Sequence, residues 1–191
     1  MQKTVKNPLF RFLSSALILF ALWFMVYESW LKNEGTVDDW LTETVTVHSV
    51  WVLSQMGYDV SVGQSSVWTS ILCDGFVLLN IADSCNGLVL YALFVGFFIA
   101  FPGRWKPKLW FSLAGSVVIY LLNVARIVAL SIVQMYRPEY LDISHKYVFT
   151  LVVYGAIMGM WWYWVNRYSL FAVKDGSKSP EQEKEREVEH E

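Results

Sequence analysis

Four long apolar runs punctuate the chain. They cover about Leu13 to Val26, Gly87 to Phe101, Leu109 to Met135 and Tyr147 to Val165, and the third is broken only by Asn123 and Arg126. A helix crossing ~30 Å of hydrocarbon needs about 20 residues, with a usable range of roughly 17 to 25. The second run is short by that measure and the third is long. The pattern predicts four spans, at residues 13–30, 86–101, 109–135 and 146–167. Lys3, Lys6 and Arg11 precede the first run, as in a signal peptide. A signal peptide ends at small residues, whereas Tyr27-Glu28-Ser29-Trp30 follows here, so an uncleaved anchor is expected.

Residues 31–84 are patterned differently. Thr36 with Asp39 three residues on resembles a capping box, and Val37, Trp40, Leu41, Val45 and Val52 fall near helical spacing. Gly57 is a plausible stop. This predicts an amphipathic helix lying on the outer membrane face. Two apolar runs, Val67 to Cys73 and Phe76 to Ala82, flank Asp74-Gly75 and predict a β-hairpin. After Ser177 the chain is mostly Glu, Lys and Arg, which suits a solvated tail. The expected class is an all-α polytopic membrane protein with about four transmembrane helices, a small extracytoplasmic helix and a β-hairpin. Its parts are a terminus at 1–12, the first span at 13–30, the outer segment at 31–84, a three-helix membrane core at 85–168 and a charged tail at 169–191.

Composition agrees. Of 191 residues, 55% are hydrophobic and 17% charged, against about 45–50% and 25% for ordinary globular chains. That excludes disordered, collagenous and typical soluble classes. With both termini on one side, Lys and Arg collect there, and the other side keeps only Lys32, Arg137 and Lys146. The positive-inside rule then places both termini in the cytoplasm. Trp30, Tyr136 and Tyr140 would mark the outer interface, and Trp105, Trp110 and Trp161 to Trp164 the inner one. A net charge of −2 argues against a nucleic-acid partner. Two cysteines are too few for a disulfide scaffold or a structural zinc site.

Three residues then stand out. Cys85 follows Asp83-Ser84, either of which can cap the second span and place the thiol in its first turn, where free N–H groups favour the nucleophilic thiolate; the bland reading is a small packing residue. Arg126 lies inside the third span with Asn123 on the same face. An intramembrane Arg costs about 2.5–3.5 kcal/mol even on insertion scales, and marks a functional interior by default. It alternatively snorkels outward or pairs with an acid such as Asp83. His145 heads the fourth span. His48 and His190 lack a supporting constellation. At 1.5 Å per residue, Cys85 lies ~24 Å above the inner boundary, Arg126 ~26 Å and His145 ~24–29 Å, so all three share one thin layer near the outer surface. A thiol, an imidazole and a guanidinium at one level supply a nucleophile, a general acid/base and an oxyanion stabiliser.

Cys85-Asn86-Gly87, Asn123-Val124-Ala125-Arg126 and His145, in that order, resemble the exosortase/archaeosortase family of membrane-embedded cysteine transpeptidases, and in length the compact variety found in Bacteroidetes. That family shows a Cys followed by Ser or Asn and Gly at the outer start of a span, an Asn-x-x-Arg inside a following span, and a His at the head of the next. The resemblance covers roughly residues 66 to 168. It implies clients that are exported proteins with a C-terminal tag of short motif, transmembrane helix and basic cluster. Cys85 would attack a carbonyl near the motif to form a thioester. Arg126 would stabilise the oxyanion or fix the substrate backbone. His145 would take the thiol proton and protonate the leaving amine, or instead orient the substrate. An amine or hydroxyl on a membrane lipid or surface glycan would resolve the thioester; water would make the reaction plain proteolysis. No metal or organic cofactor is implied, and Asn86 and Asn123 are candidates for polar support. The implied place is the inner (cytoplasmic) membrane, with the site at its outer face.

Two other classes compete. A thiol oxidoreductase usually works with Cys-x-x-Cys or two cysteine pairs, and this chain has neither. A non-enzymatic assembly or export factor would use Arg126 structurally and tolerate Cys85→Ser. Cys73 lies twelve residues before Cys85 and could approach it across the hairpin; both thiols are expected to be free in active protein.

Overall fold

The computed structural model describes residues 8–27, 29, 35–64, 69–82 and 85–168. Helix α1 spans Pro8–Val26 and α2 spans Thr36–Gln55. Strands β1 (Val60–Gln64), β2 (Thr69–Cys73) and β3 (Phe76–Ile81) follow. Then come α3, Leu88–Ala100, and α4, Trp105–Tyr136. A last helical stretch, Pro138–Tyr168, opens with a 3-10 turn and closes as α5, Phe149–Tyr168. The stretches Trp105–Tyr136 and Pro138–Tyr168 are long and apolar enough to cross a membrane; α1 and α3 are shorter apolar helices. Trp30, Asp83, Ser84 and the charged tail lie outside the described residues.

The outer segment departs from expectation in two ways. Its sheet has three antiparallel strands in the order β1-β2-β3 rather than two. The foreseen turn is there: Cys73 pairs with Phe76 across Asp74-Gly75, whose φ values of 50° and 82° are those of a type I′ hairpin. Strand β1 was missed because its sequence, Val-Ser-Val-Gly-Gln, is short and weakly apolar. Secondly, one face of α2 is taken up by tertiary packing that the helical spacing alone does not reveal. Its Leu41, Val45 and Leu53 pack with Ile71 and Ile81 of the sheet and with Val124, Ile127 and Val128 of α4. Thr36 is the first helical residue rather than the cap, which is Gly35. The far end stops as foreseen: the N–H groups of Gly57 and Tyr58 bond back to Ser54 and Leu53, closing a Schellman motif.

A second core lies at the other end of the bundle. Phe94 and Phe98 of α3, Ile119 of α4, and Val153, Ile157 and Trp164 of α5 are buried together. Phe97 stacks on Trp161 with ring centroids 4.5 Å apart, and Phe98 meets Trp164 edge-on at 5.1 Å. The tryptophans expected at the inner interface therefore divide. Trp164 is buried packing, while Trp162 is 70% exposed. Elsewhere the helices turn large apolar side chains outward, such as Leu121 of α4 and Leu151 of α5, the latter 76% exposed. Polar Asn123 and Ser131 face inward with no exposure at all. Apolar outside and polar inside is the distribution that a hydrocarbon surrounding favours.

Candidate active site

The site forms where the sheet hands the chain to the apolar helices. After β3, the N–H of Cys85 donates to the carbonyl of Ala82 at 2.8 Å. Cys85 precedes α3 rather than standing in its first turn, because the N-cap is Gly87. The capping side chain is Asn86, whose Oδ1 accepts from the Leu88 N–H at 2.8 Å. Gly87 holds φ at +84°, a left-handed conformation that suits glycine. A Cβ there would run into the Asn123 carboxamide, with Cγ only 3.1 Å away. Gly87 and Asn123 are thus the two halves of one close approach, between the turn that carries the thiol and α4. Asn123 Nδ2 donates to the Ile119 carbonyl at 2.9 Å.

Arg126 stands one turn above Asn123 on α4. Its Nη2 lies 3.0 Å from His145 Nε2. His145 Nε2 also lies 3.4 Å from Cys85 Sγ. Three residues from three elements thus meet at one atom. A guanidinium always carries its protons, so its hydrogen bond makes Nε2 the acceptor and puts the ring proton on Nδ1. The thiol addresses that same lone pair. His145 reaches the spot from a π-turn, Ser144–Val148, inserted before α5. Single π-turns within helices recur at functional sites.

A cavity of about 420 Å³ opens beside this junction. Arg126 and His145 line it together with Asp38 of α2, Asn86, Thr150 and Tyr154. Cys85 is outside the lining and half-buried, packed against the outer core. Asp38 escaped the sequence reading because an acid in a first helical turn is the ordinary complement to the helix dipole. Its exposed neighbour Asp39 gives the same sequence signal. The π-turn left no sequence trace either.

The remaining candidates separate from the site. Cys73 sits at the tip of the β2–β3 turn, at the opposite end of β3 from Cys85, so the hairpin holds the two apart. Both thiols are free. Partial burial, then the Asp74 and Asp59 carboxylates, push the Cys73 thiol above its usual range, away from the reactive form. His48 pairs with the Tyr120 hydroxyl at 2.8 Å on another face of α4. His190 lies outside the described residues.

No curated protein and no solved structure matches the chain. One family model does, described as transmembrane exosortase (Exosortase_EpsH), over residues 7–163 of the 191. That range runs from the start of α1 into α5 and includes Cys85, Arg126 and His145, and the chain accordingly belongs to the transmembrane exosortase family.

Proposed function

We propose that this protein is a membrane-embedded cysteine transpeptidase that cleaves a C-terminal sorting tag from exported proteins and passes them to a lipid or glycan acceptor. In this reading four helices cross the inner membrane, α1, α3, α4 and α5, with both termini in the cytoplasm. The outer segment sits on the far side, and the reactive layer lies just beneath it. The observation that carries the reading is the meeting of Cys85 Sγ and Arg126 Nη2 at His145 Nε2. Cys85 passes its proton to Nε2 and the thiolate attacks the scissile carbonyl. A protonated Nε2 no longer accepts from Arg126, so proton transfer releases the guanidinium. It turns to the oxyanion as charge develops, a role worth roughly 10²–10³ in rate for one donor. The C–N bond breaks, the leaving amine takes the proton from Nε2, and the client is held as a thioester. An acceptor amine or hydroxyl attacks, its proton goes to Nε2 and then to the departing sulfur, and the thiol is restored.

The test compares cells lacking the protein that are complemented with wild type or with Cys85→Ala. Mass spectrometry of membrane and surface proteins would read their C-termini. A set of proteins that keeps a C-terminal hydrophobic helix only with Cys85→Ala is the expected result, and those peptides reveal the tag. Identical profiles at equal expression would remove Cys85 as a processing nucleophile and leave an assembly role.

A further inference from the structure

Asp38 is a carboxylate far from Cys85 in sequence, buried to 5% exposure, on an element outside the membrane helices. Its Oδ1 accepts from Asn86 Nδ2 at 2.7 Å. The same Nδ2 group also lies 3.3 Å from the Asp38 carbonyl and 3.4 Å from Thr42 Oγ1. Asn86 itself is 1% exposed. Its donor end is thus given to the first turns of α2 and its acceptor end to the Leu88 N–H that begins α3. The carboxamide is a strut between the outer module and the turn carrying the thiol. Charge-assisted hydrogen bonds are roughly twice as strong as neutral ones, so the Asp38 end is the strongest of these contacts.

We infer that Asp38 is a positioning residue for Cys85, holding the Asn86 carboxamide and through it the turn that aims the thiol at His145. The inference rests on the reading of Cys85 and His145 as nucleophile and base. Arg126 and His145 stand on α4 and on the π-turn, so loosening the Asn86 strut shifts the thiol relative to both. A misplacement of about 1 Å costs on the order of 10²-fold in a reacting pair. The inference gives the packing of α2 on α4 a consequence: the helix that carries Asp38 sets the geometry of the reacting turn.

The experiment uses the full chain in membranes, iodoacetamide as probe and peptide mass spectrometry as readout, across a pH series. Cys73 is the internal reference, since its protonated thiol alkylates appreciably only as pH rises. Cys85 in wild type should show a pH midpoint different from that in His145→Ala. Asp38→Leu should take on the His145→Ala midpoint while Cys73 labelling stays unchanged. Equal midpoints in wild type and His145→Ala would overturn the Cys85–His145 reading and this inference with it. A wild-type midpoint in Asp38→Leu would overturn this inference alone. The reciprocal exchange guards against misfolding. Asn86→Asp sets two carboxylates face to face and should lower client processing at least tenfold. Adding Asp38→Asn restores one donor and one acceptor with unchanged net charge, and should return processing to within about threefold of wild type. Failure of that rescue would mean that position 38 needs its own carboxylate, and the strut would be discarded.

Discussion

At Cys85-Asn86-Gly87 each residue has a separate task. Cys85 offers the thiol, Asn86 ties two helices together, and Gly87 supplies a left-handed φ where α4 comes too close for a side chain. The sequence showed the three letters and their place before an apolar run, and it put Asn123 and Arg126 on one face. It did not show that Asn123 belongs to Gly87 while Arg126 belongs to His145, since lateral pairing between helices leaves no periodicity. Gly87→Ala is expected to destabilise the protein by more than the ~1–2 kcal/mol that a left-handed Ala costs, because the new Cβ also displaces Asn123. Thermal unfolding in detergent measures this, with Gly155→Ala as the control. A Cβ at Gly155 meets nothing within 4 Å, so that change should leave the midpoint level or slightly raised.

Among the elements, the apolar helices and the Asp74-Gly75 hairpin were legible because length, period and turn chemistry each leave a local mark. Strand β1 and the π-turn were not. Both are decided by partners: β1 by its ladder with β2, and the π-turn by what His145 must reach. The π-turn holds one residue more than the α-helical path needs. Deleting exposed Tyr147 should let the stretch relax to α-helix and swing His145 by about 100° about the axis. The expected outcome is normal membrane insertion with loss of client processing, read by fractionation and C-terminal mass spectrometry. Retained processing would show that His145 works from another position.

On the scale of the whole molecule, two cores of different origin are stacked end to end. The first joins α2 and the sheet to α4; in the proposed topology it stands in water, which would drive its assembly at about 1.5–3 kcal/mol for each large side chain buried. The aromatic one joins α3, α4 and α5, and in that topology close packing would act there without that drive. At 32 residues α4 is about 48 Å long, well beyond a ~30 Å hydrocarbon layer. It contributes buried residues to both cores, and Arg126 stands about 26 Å along it from Leu109. In the proposed function the site would then be a ruler as well as a catalyst. Longer acyl chains would lift the lipid boundary past the guanidinium and sink the acceptor's entrance in oil. Shorter chains would leave the client's helix without a floor to stand on. In proteoliposomes of graded acyl length, turnover should peak at one thickness and fall on both sides of it, while a flat profile would mean that the bilayer moulds itself to the enzyme.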